Sequence, residues 1–165
     1  MRKAIMIAGL VLALGVLTPA TAFGKAGGTD RPLQGSGSGT TVLDLGTLTF
    51  TADATGVMSH LGKTTYHFDN GVVTPTGTNT FDITISVTIT AANGDQMFGD
   101  VSGSGTTDTS GNSTGTSTTT ITGGTGRFTG ASGSASGPFT QTLISMSATT
   151  STFATEFSLS GRISY

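Results

Sequence analysis

His60 and His67 are the only histidines in the sequence, and imidazole is a common general base near neutral pH and a frequent metal ligand. A metal site would need both rings to converge with a third ligand, for which Asp69 is a candidate. His60 falls in a predicted turn, and His67 lies on the strand face opposite Tyr66 and Phe68. If those two aromatic side chains point inward, His67 faces solvent. We therefore expect two surface histidines and no metal site.

Glu156 is the only glutamate. A catalytic carboxylic acid requires burial and a nearby partner carboxylate that adjusts its pKa. Alternation along the C-terminal segment places Glu156 on the same face as Arg162 and away from Phe157 and Leu159. This pattern favours an exposed carboxylate and no role in acid catalysis.

The many serine and threonine hydroxyls do not form a recognisable catalytic arrangement. A serine nucleophile needs a base that a third group orients, and no Gly-x-Ser-x-Gly motif opens a predicted helix. No glycine-rich run continues into the Gly-Lys-Ser/Thr of a phosphate-binding loop. Asn112-Ser113-Thr114 fits the short pattern of an N-glycosylation acceptor. The sequence predicts no catalytic residue, no metal and no cofactor.

The N-terminus has the three parts of a secretory signal peptide. A positively charged start precedes the apolar and small stretch Ala4–Leu17, and small residues follow up to Ala22. We predict a helical signal peptide over residues 1–22, cleaved after Ala22 or alternatively after Ala26, and export to the periplasm or the extracellular space. A retained anchor is disfavoured because a spanning helix needs roughly 20 apolar residues. No later segment is long and apolar enough to span a membrane as a helix.

Composition excludes several classes of partner. The formal net charge is −2 at pH 7, and loss of Arg2 and Lys3 with the signal peptide leaves a chain that is more acidic still. Nucleic-acid binding depends largely on Lys and Arg at phosphates, so no nucleic-acid partner is expected, and the same argument disfavours an anionic membrane surface. The chain has no cysteine, which excludes disulfides and thiolate metal sites.

Period-two alternation of apolar and polar residues predicts an all-β domain. It is clearest between Phe81 and Thr90 and returns near Thr47–Ala54 and Phe153–Tyr165. Residues 23–35 are predicted to be a flexible lead-in, and residues 36–165 to form the domain. The predicted strands lie near residues 36–43, 47–58, 63–69, 78–92, 96–107, 113–122, 127–140 and 149–164. The predicted turns between them are Ser59-His60-Leu61-Gly62, Asp69-Asn70-Gly71, Asn93-Gly94-Asp95, Ser110-Gly111-Asn112 and Gly123-Gly124-Thr125-Gly126.

Consecutive antiparallel strands with short turns form a meander, and closing the meander removes its exposed edges. We predict an eight-stranded antiparallel barrel, closed or nearly closed, with a two-sheet sandwich as the alternative. Large apolar residues concentrate in the strands near 48–58, 81–89 and 153–165, whereas 100–122 and 129–137 carry mainly small residues. Either large side chains fill the interior or a cavity remains, and any pocket is expected on the small-residue side.

The segment Gly123-Gly124-Thr125-Gly126-Arg127-Phe128-Thr129-Gly130-Ala131-Ser132-Gly133 resembles a hairpin of the allene oxide cyclase and dirigent barrels and their bacterial secreted relatives. Ser59–Lys63 and Ala91–Asp95 are similar to segments of those bacterial relatives. The resemblance implies an eight-stranded antiparallel barrel, which in the plant members is often oligomeric, so a homo-oligomer is one expectation. It carries over no pocket residue, because no position here matches those of the plant families. In physical terms, Gly124 and Gly126 are expected to take positive φ, with Arg127 outside and Phe128 in the core.

Three functions remain open. The first is an exported barrel that acts as a binding or structural module, with a small apolar ligand as its partner. The second is a cyclase- or dirigent-type enzyme that steers a reactive intermediate by shape. The third is an outer-membrane barrel, suggested by the terminal Tyr165 and the apolar face that precedes it; such a barrel needs an apolar outer band on every strand.

Overall fold

The fold is given by a computed structural model, which describes residues 28–165. The predicted signal peptide at residues 1–22 and the start of the predicted lead-in lie outside the described residues. Within them, every long element is a β-strand, and one short 3₁₀ helix spans Gly126–Phe128. No helix in the described part of the chain is long and apolar enough to cross a membrane.

Eight antiparallel strands form a closed barrel in the order of the sequence, and the first strand pairs with the last. This confirms the predicted barrel; the sandwich alternative was wrong. The strands are β1 Arg31–Asp44, β2 Thr49–Met58, β3 Gly62–Pro75, β4 Thr80–Ala91, β5 Gln96–Thr107, β6 Ser113–Gly124, β7 Ser132–Met146 and β8 Thr150–Ser164.

Several strand boundaries differ from the predicted ones, and those of β1, β3 and β7 differ most. Strand β1 already begins at Arg31, so residues 31–35 of the predicted lead-in are strand. Strand β7 begins at Ser132, because the residues before it form the 3₁₀ helix. The predicted turn at Asp69-Asn70-Gly71 is instead a β-bulge inside β3, where Asn70 has a φ of 56° and the pairing with β4 shifts register. Asparagine tolerates this left-handed conformation better than most residues. The same residue preference that suggested a turn therefore produces a bulge within β3.

The apolar face of each alternating strand points into the barrel. On β4, Ile85, Val87 and Ile89 are buried, whereas Ser86 and Thr88 between them lie on the outer face. Because side chains of a strand alternate between faces, this places the large residues in one interior core and leaves a polar exterior.

One end of the barrel, called the closed end here, is filled by side chains. The loops β2–β3, β4–β5 and β6–β7 lie at this end. The 3₁₀ helix places Phe128 fully inside, and its ring centroid lies 4.9 Å from that of Tyr165. Arg127 points outward as predicted, with its Nε 3.5 Å from an oxygen of Asp95. The buried side chains that complete this end are Leu33, Met58, Leu61, Met97, Ala131 and Ile163.

The glycines of the β6–β7 connection have two different roles. Gly126 has a φ of 55°, which confirms the predicted left-handed position. Gly124 was expected to take positive φ as well, but it is not among the positive-φ glycines. Its role is close approach: a Cβ there would lie 2.7 Å from the Cβ of Phe128. Glycine is required because any side chain would displace the ring that fills the closed end.

Four phenylalanine rings lie over glycines of neighbouring strands. The in-register pairs are Phe50–Gly71, Phe81–Gly105, Phe139–Gly115 and Phe157–Gly37. A Cβ on any of these glycines would lie 2.6–2.7 Å from a ring atom of its partner. Pairing an aromatic residue with a cross-strand glycine is a known way to cover exposed backbone in sheets. Large residues on one strand thus lie opposite glycines on the neighbouring strand. The space that remains is not confined to the small-residue strands.

Candidate functional site

A cavity of about 290 Å³ opens at the end of the barrel opposite the closed end. This end, called the mouth here, carries the loops β1–β2, β3–β4, β5–β6 and β7–β8. The lining extends from Leu45 and Gly111 in those loops down to Tyr66 and Ile89. The side chains of the closed end lie below it. The cavity is therefore a blind pocket with one opening.

The cavity has two chemically different walls. The apolar wall is formed by inward-facing residues of β2, β3 and β4, most of them Phe, Ile, Val or Ala. The polar wall is formed by β1 and β5–β8, which contribute inward-facing hydroxyls and an amide among their apolar residues. The polar side chains that we assign to the polar wall are Thr41, Thr107, Ser113, Ser117, Thr119, Gln141, Ser151 and Thr155.

Strand register brings the centre of the polar wall together. Gln141 on β7 lies opposite Ser113 on one side and Thr155 on the other. The hydroxyls of Thr41 and Thr155 are 2.8 Å apart, and Gln141 Nε2 donates to both at 3.4 Å. The hydroxyls of Thr107 and Ser113 are 3.0 Å apart. These groups present hydrogen-bond donors and acceptors to the cavity without any formal charge.

Ser151 is the exception in this network. Its side chain lines the cavity and is only 1% exposed, yet its Oγ has no hydrogen-bond partner among residues 28–165. Most buried polar atoms in folded proteins are satisfied, and one that is not destabilises the fold. Ser151 is therefore a residue of the cavity lining whose buried hydroxyl no side chain or backbone group of the described barrel satisfies.

Tyr66 lies at the base of the cavity. Its ring stacks on Phe68 with a centroid distance of 6.2 Å and meets the edge of Phe157 at 5.0 Å. Burial of the Tyr66 phenol raises its pKa. Neither the Tyr66 hydroxyl nor the Thr64 hydroxyl has a hydrogen-bond partner within the described chain. The phenol therefore stays protonated and neutral across the physiological pH range.

The two histidines predicted as surface residues lie apart from each other and outside the cavity. His60 is in the β2–β3 turn, where its Nε2 lies 2.8 Å from the carbonyl oxygen of Pro32. His67 is on the outer face of β3, half-exposed, between two carboxylates: Nδ1 is 2.6 Å from Asp53 and Nε2 is 2.9 Å from Asp69. Residues 28–165 contain no group of three or more His, Asp or Glu side chains placed to hold a metal. Asp69 thus contacts His67 without His60.

We predict that the pKa of His67 is raised above that of an unperturbed histidine. The hydrogen bond to Asp53 and the charge of Asp69 raise the pKa of His67 above its ordinary value of 6.5. Its contribution to the free energy of unfolding is complete below pH 6.5 and is lost as the pH rises through the raised pKa. NMR titration should give a pKa above 6.5 for His67, and Asp53→Asn should lower that pKa. Asp82→Asn, on the outer face of β4, is the control and should leave the titration unchanged.

The other candidates also lie outside the cavity. Glu156 is exposed on the outer face of β8, and Arg162 on the same face pairs with Asp30. The side chain of Asn112 is occupied: its Nδ2 donates to Asp108 at 3.2 Å, and its Oδ1 accepts from the Leu143 amide at 3.1 Å.

No known family model, curated protein or solved structure matches the chain. The eight-stranded antiparallel barrel implied by the resemblance to allene oxide cyclase and dirigent barrels is observed, but membership of that family stays a prediction.

The residues of the polar wall were not singled out from the sequence. Their signal was present in the alternation: Gln141 lies between Phe139 and Leu143 at the same spacing of two, so it had to share their inward face. A polar side chain on an otherwise apolar inner face is the pattern that would have identified Gln141. Ser151 and Thr155 occupy equivalent positions around Phe153.

Proposed function

We propose that this small β-barrel binds a small apolar molecule in the cavity, which it reaches through the mouth. The observation that carries this proposal is the blind, mainly apolar cavity of about 290 Å³. Small-molecule sites are typically concave, largely apolar and roughly 300–1,000 Å³ in volume, with a few placed polar groups. The cavity lies at the lower end of that range, which favours a compact ligand or a single alkyl chain.

The rim of the mouth supports access by an apolar molecule. Ile144 and Met146, at the end of β7, are 60% and 63% exposed, the two highest values among the exposed large apolar side chains of the described barrel. Met146 also lines the cavity. Exposed apolar residues beside a pocket commonly mark a binding surface. An apolar ligand would therefore remain in contact with apolar side chains as it enters.

A variant that fills the cavity tests the proposal. Ala52 is on the inner face of β2, lines the cavity and is only partly buried, so a larger side chain there has space to enter the cavity. We expect Ala52→Phe to weaken binding of the fluorescent apolar probe N-phenylnaphthylamine at least about tenfold, since the added ring occupies volume that the probe needs. Fluorescence titration of the mature protein measures the dissociation constant.

The matched control is Thr51→Phe, which adds a phenyl ring to the adjacent, exposed residue on the outer face of β2. We expect probe binding to this variant to equal that of the unchanged protein. Equal binding by Ala52→Phe and Thr51→Phe would mean that the probe binds elsewhere, and absence of binding to the unchanged barrel would contradict the proposed function.

The enzyme hypothesis also requires this cavity, whereas the outer-membrane hypothesis concerns the outer surface of the barrel. An enzyme of cyclase or dirigent type would also have to bind its substrate in an open cavity, so ligand binding is the step that both share. An outer-membrane barrel would need apolar residues on the outside of its strands, whereas the outer faces of β4 and β6 carry Asp, Ser and Thr. Export through the signal peptide at residues 1–22 and assembly into homo-oligomers remain part of the proposal as predictions from the sequence.

A further inference from the structure

We infer that the ligand is electrically neutral and has two sides, one apolar and the other carrying a hydroxyl or carbonyl group. This inference rests on the proposed function and adds the chemical class of the ligand. The apolar side would pack on the apolar wall, and the hydroxyl or carbonyl would bond to the polar wall near Gln141 and Ser151.

The charge of the cavity lining disfavours a charged ligand group inside the cavity. Asp53 is the only charged residue that contributes to the lining within the described chain. Its side chain is 77% exposed on the outside of β2, where it bonds to His67. Transfer of a carboxylate or ammonium group from water to an apolar site is unfavourable unless the site provides an opposite charge. No side chain of residues 28–165 supplies one inside the barrel, so a neutral polar group is favoured.

Ser151 supplies the second, independent observation. Ser151 lines the cavity, and its buried hydroxyl has no partner in residues 28–165. A hydroxyl can donate to a carbonyl oxygen and can both donate to and accept from another hydroxyl. A neutral ligand with either group would satisfy Ser151 after rotation of its side chain towards the cavity.

Gln141 extends the same recognition surface. Its amide is part-buried in the polar wall and bonds to Thr41 and Thr155 only at 3.4 Å, which is longer than the usual distance of about 2.9–3.0 Å. Its amide therefore retains capacity for a shorter bond to a ligand. The strands β7 and β8 thus place two neutral polar groups on the wall that faces the apolar residues of β2–β4.

Matched ligands with one alkyl chain and different head groups test the inference. Decanol, methyl decanoate, decanoate and decylammonium would each displace N-phenylnaphthylamine from the unchanged mature protein at pH 7. We expect decanol and methyl decanoate to bind about a hundredfold more tightly than the two ions, because only the ions must bury an uncompensated charge. Similar affinities for all four would overturn the inference while leaving the proposed function intact, whereas failure of every compound and of the probe would overturn the proposed function.

The variant Ser151→Ala distinguishes a role of the Ser151 hydroxyl in ligand binding from a role in stability. Removal of the unsatisfied hydroxyl should leave the ligand-free barrel as stable or more stable in urea, while decanol should bind about tenfold more weakly. Ser160→Ala, on the outer face of the same strand, should change neither quantity. A Ser151→Ala variant that is less stable but binds decanol normally would show that the hydroxyl is structural and would overturn its role in recognition.

Discussion

Phe128→Ala is expected to lower the free energy of unfolding by about 3–5 kcal/mol, the range found for buried phenylalanines replaced by alanine. The ring is fully buried and packs against Tyr165 with a centroid distance of 4.9 Å. Its removal would leave a void beneath the cavity. Urea unfolding of the mature protein, followed by circular dichroism, measures the loss. Because folded proteins are stable by only about 5–15 kcal/mol, this variant should unfold at a much lower urea concentration.

Phe98→Ala provides the matched control. Phe98 is on the outer face of β5 and is 37% exposed, so the same substitution there removes less buried apolar area and creates no internal void. We expect a loss of about 1 kcal/mol. If the two variants lost equal stability, the closed end would not depend on Phe128, and the 3₁₀ helix would not be the element that seals the barrel.

The barrel could be predicted from the sequence because its local signals agree with one another. Alternation in β4 specifies which face is buried, and the turns at Asn93-Gly94-Asp95 and Ser110-Gly111-Asn112 separate strands of similar length. Such consistency between local patterns is characteristic of sequences that fold to one structure. It does not extend to Asp69-Asn70-Gly71, since the same residues favour a hairpin turn and a bulge; pairing with both β2 and β4 decides between them.

The cavity could not be predicted because it depends on how eight inner faces meet. Whether Phe157 fills the barrel or lies against a strand depends on its cross-strand neighbour, and that neighbour is Gly37 in β1, far away in the sequence. The ring covers the glycine and also meets the Tyr66 ring at a centroid distance of 5.0 Å, so it forms part of the base of the cavity. Composition alone indicated an uneven core, but only the register shows that large and small residues are paired.

The polar wall was missed for a related reason. Gln141 and Thr41 are far apart in the sequence, and only the closure of β7, β8 and β1 brings their side chains within 3.4 Å. Each residue alone is one polar interruption in a strand of a chain that is rich in hydroxyls. The candidates chosen from residue type, His67 and Glu156, were exposed, because alternation places both on outer faces.

Gly161→Ala is expected to destabilise the barrel by about 3 kcal/mol, although it adds a single methyl group. Gly161 on β8 lies opposite Ala135 on β7. An added Cβ would lie 2.5 Å from the Cα and 2.8 Å from the Cβ of Ala135, and it would also overlap the carbonyl oxygen of Ser134. Neither contact can be relieved by a rotamer change, so the strands β7 and β8 would have to move apart. Urea unfolding of the mature protein measures the effect.

Gly46→Ala and a double variant complete this test. A Cβ at Gly46, in the β1–β2 loop, would meet only Oδ1 of Asp44 within 4 Å, at 3.3 Å, so we expect a change below about 0.5 kcal/mol. Gly161→Ala combined with Ala135→Gly removes the contact between the two Cβ atoms but keeps the contacts with backbone atoms. It should therefore recover only part of the lost stability. Full recovery would show that the side chain of Ala135, rather than the close approach of the two backbones, makes glycine necessary at residue 161.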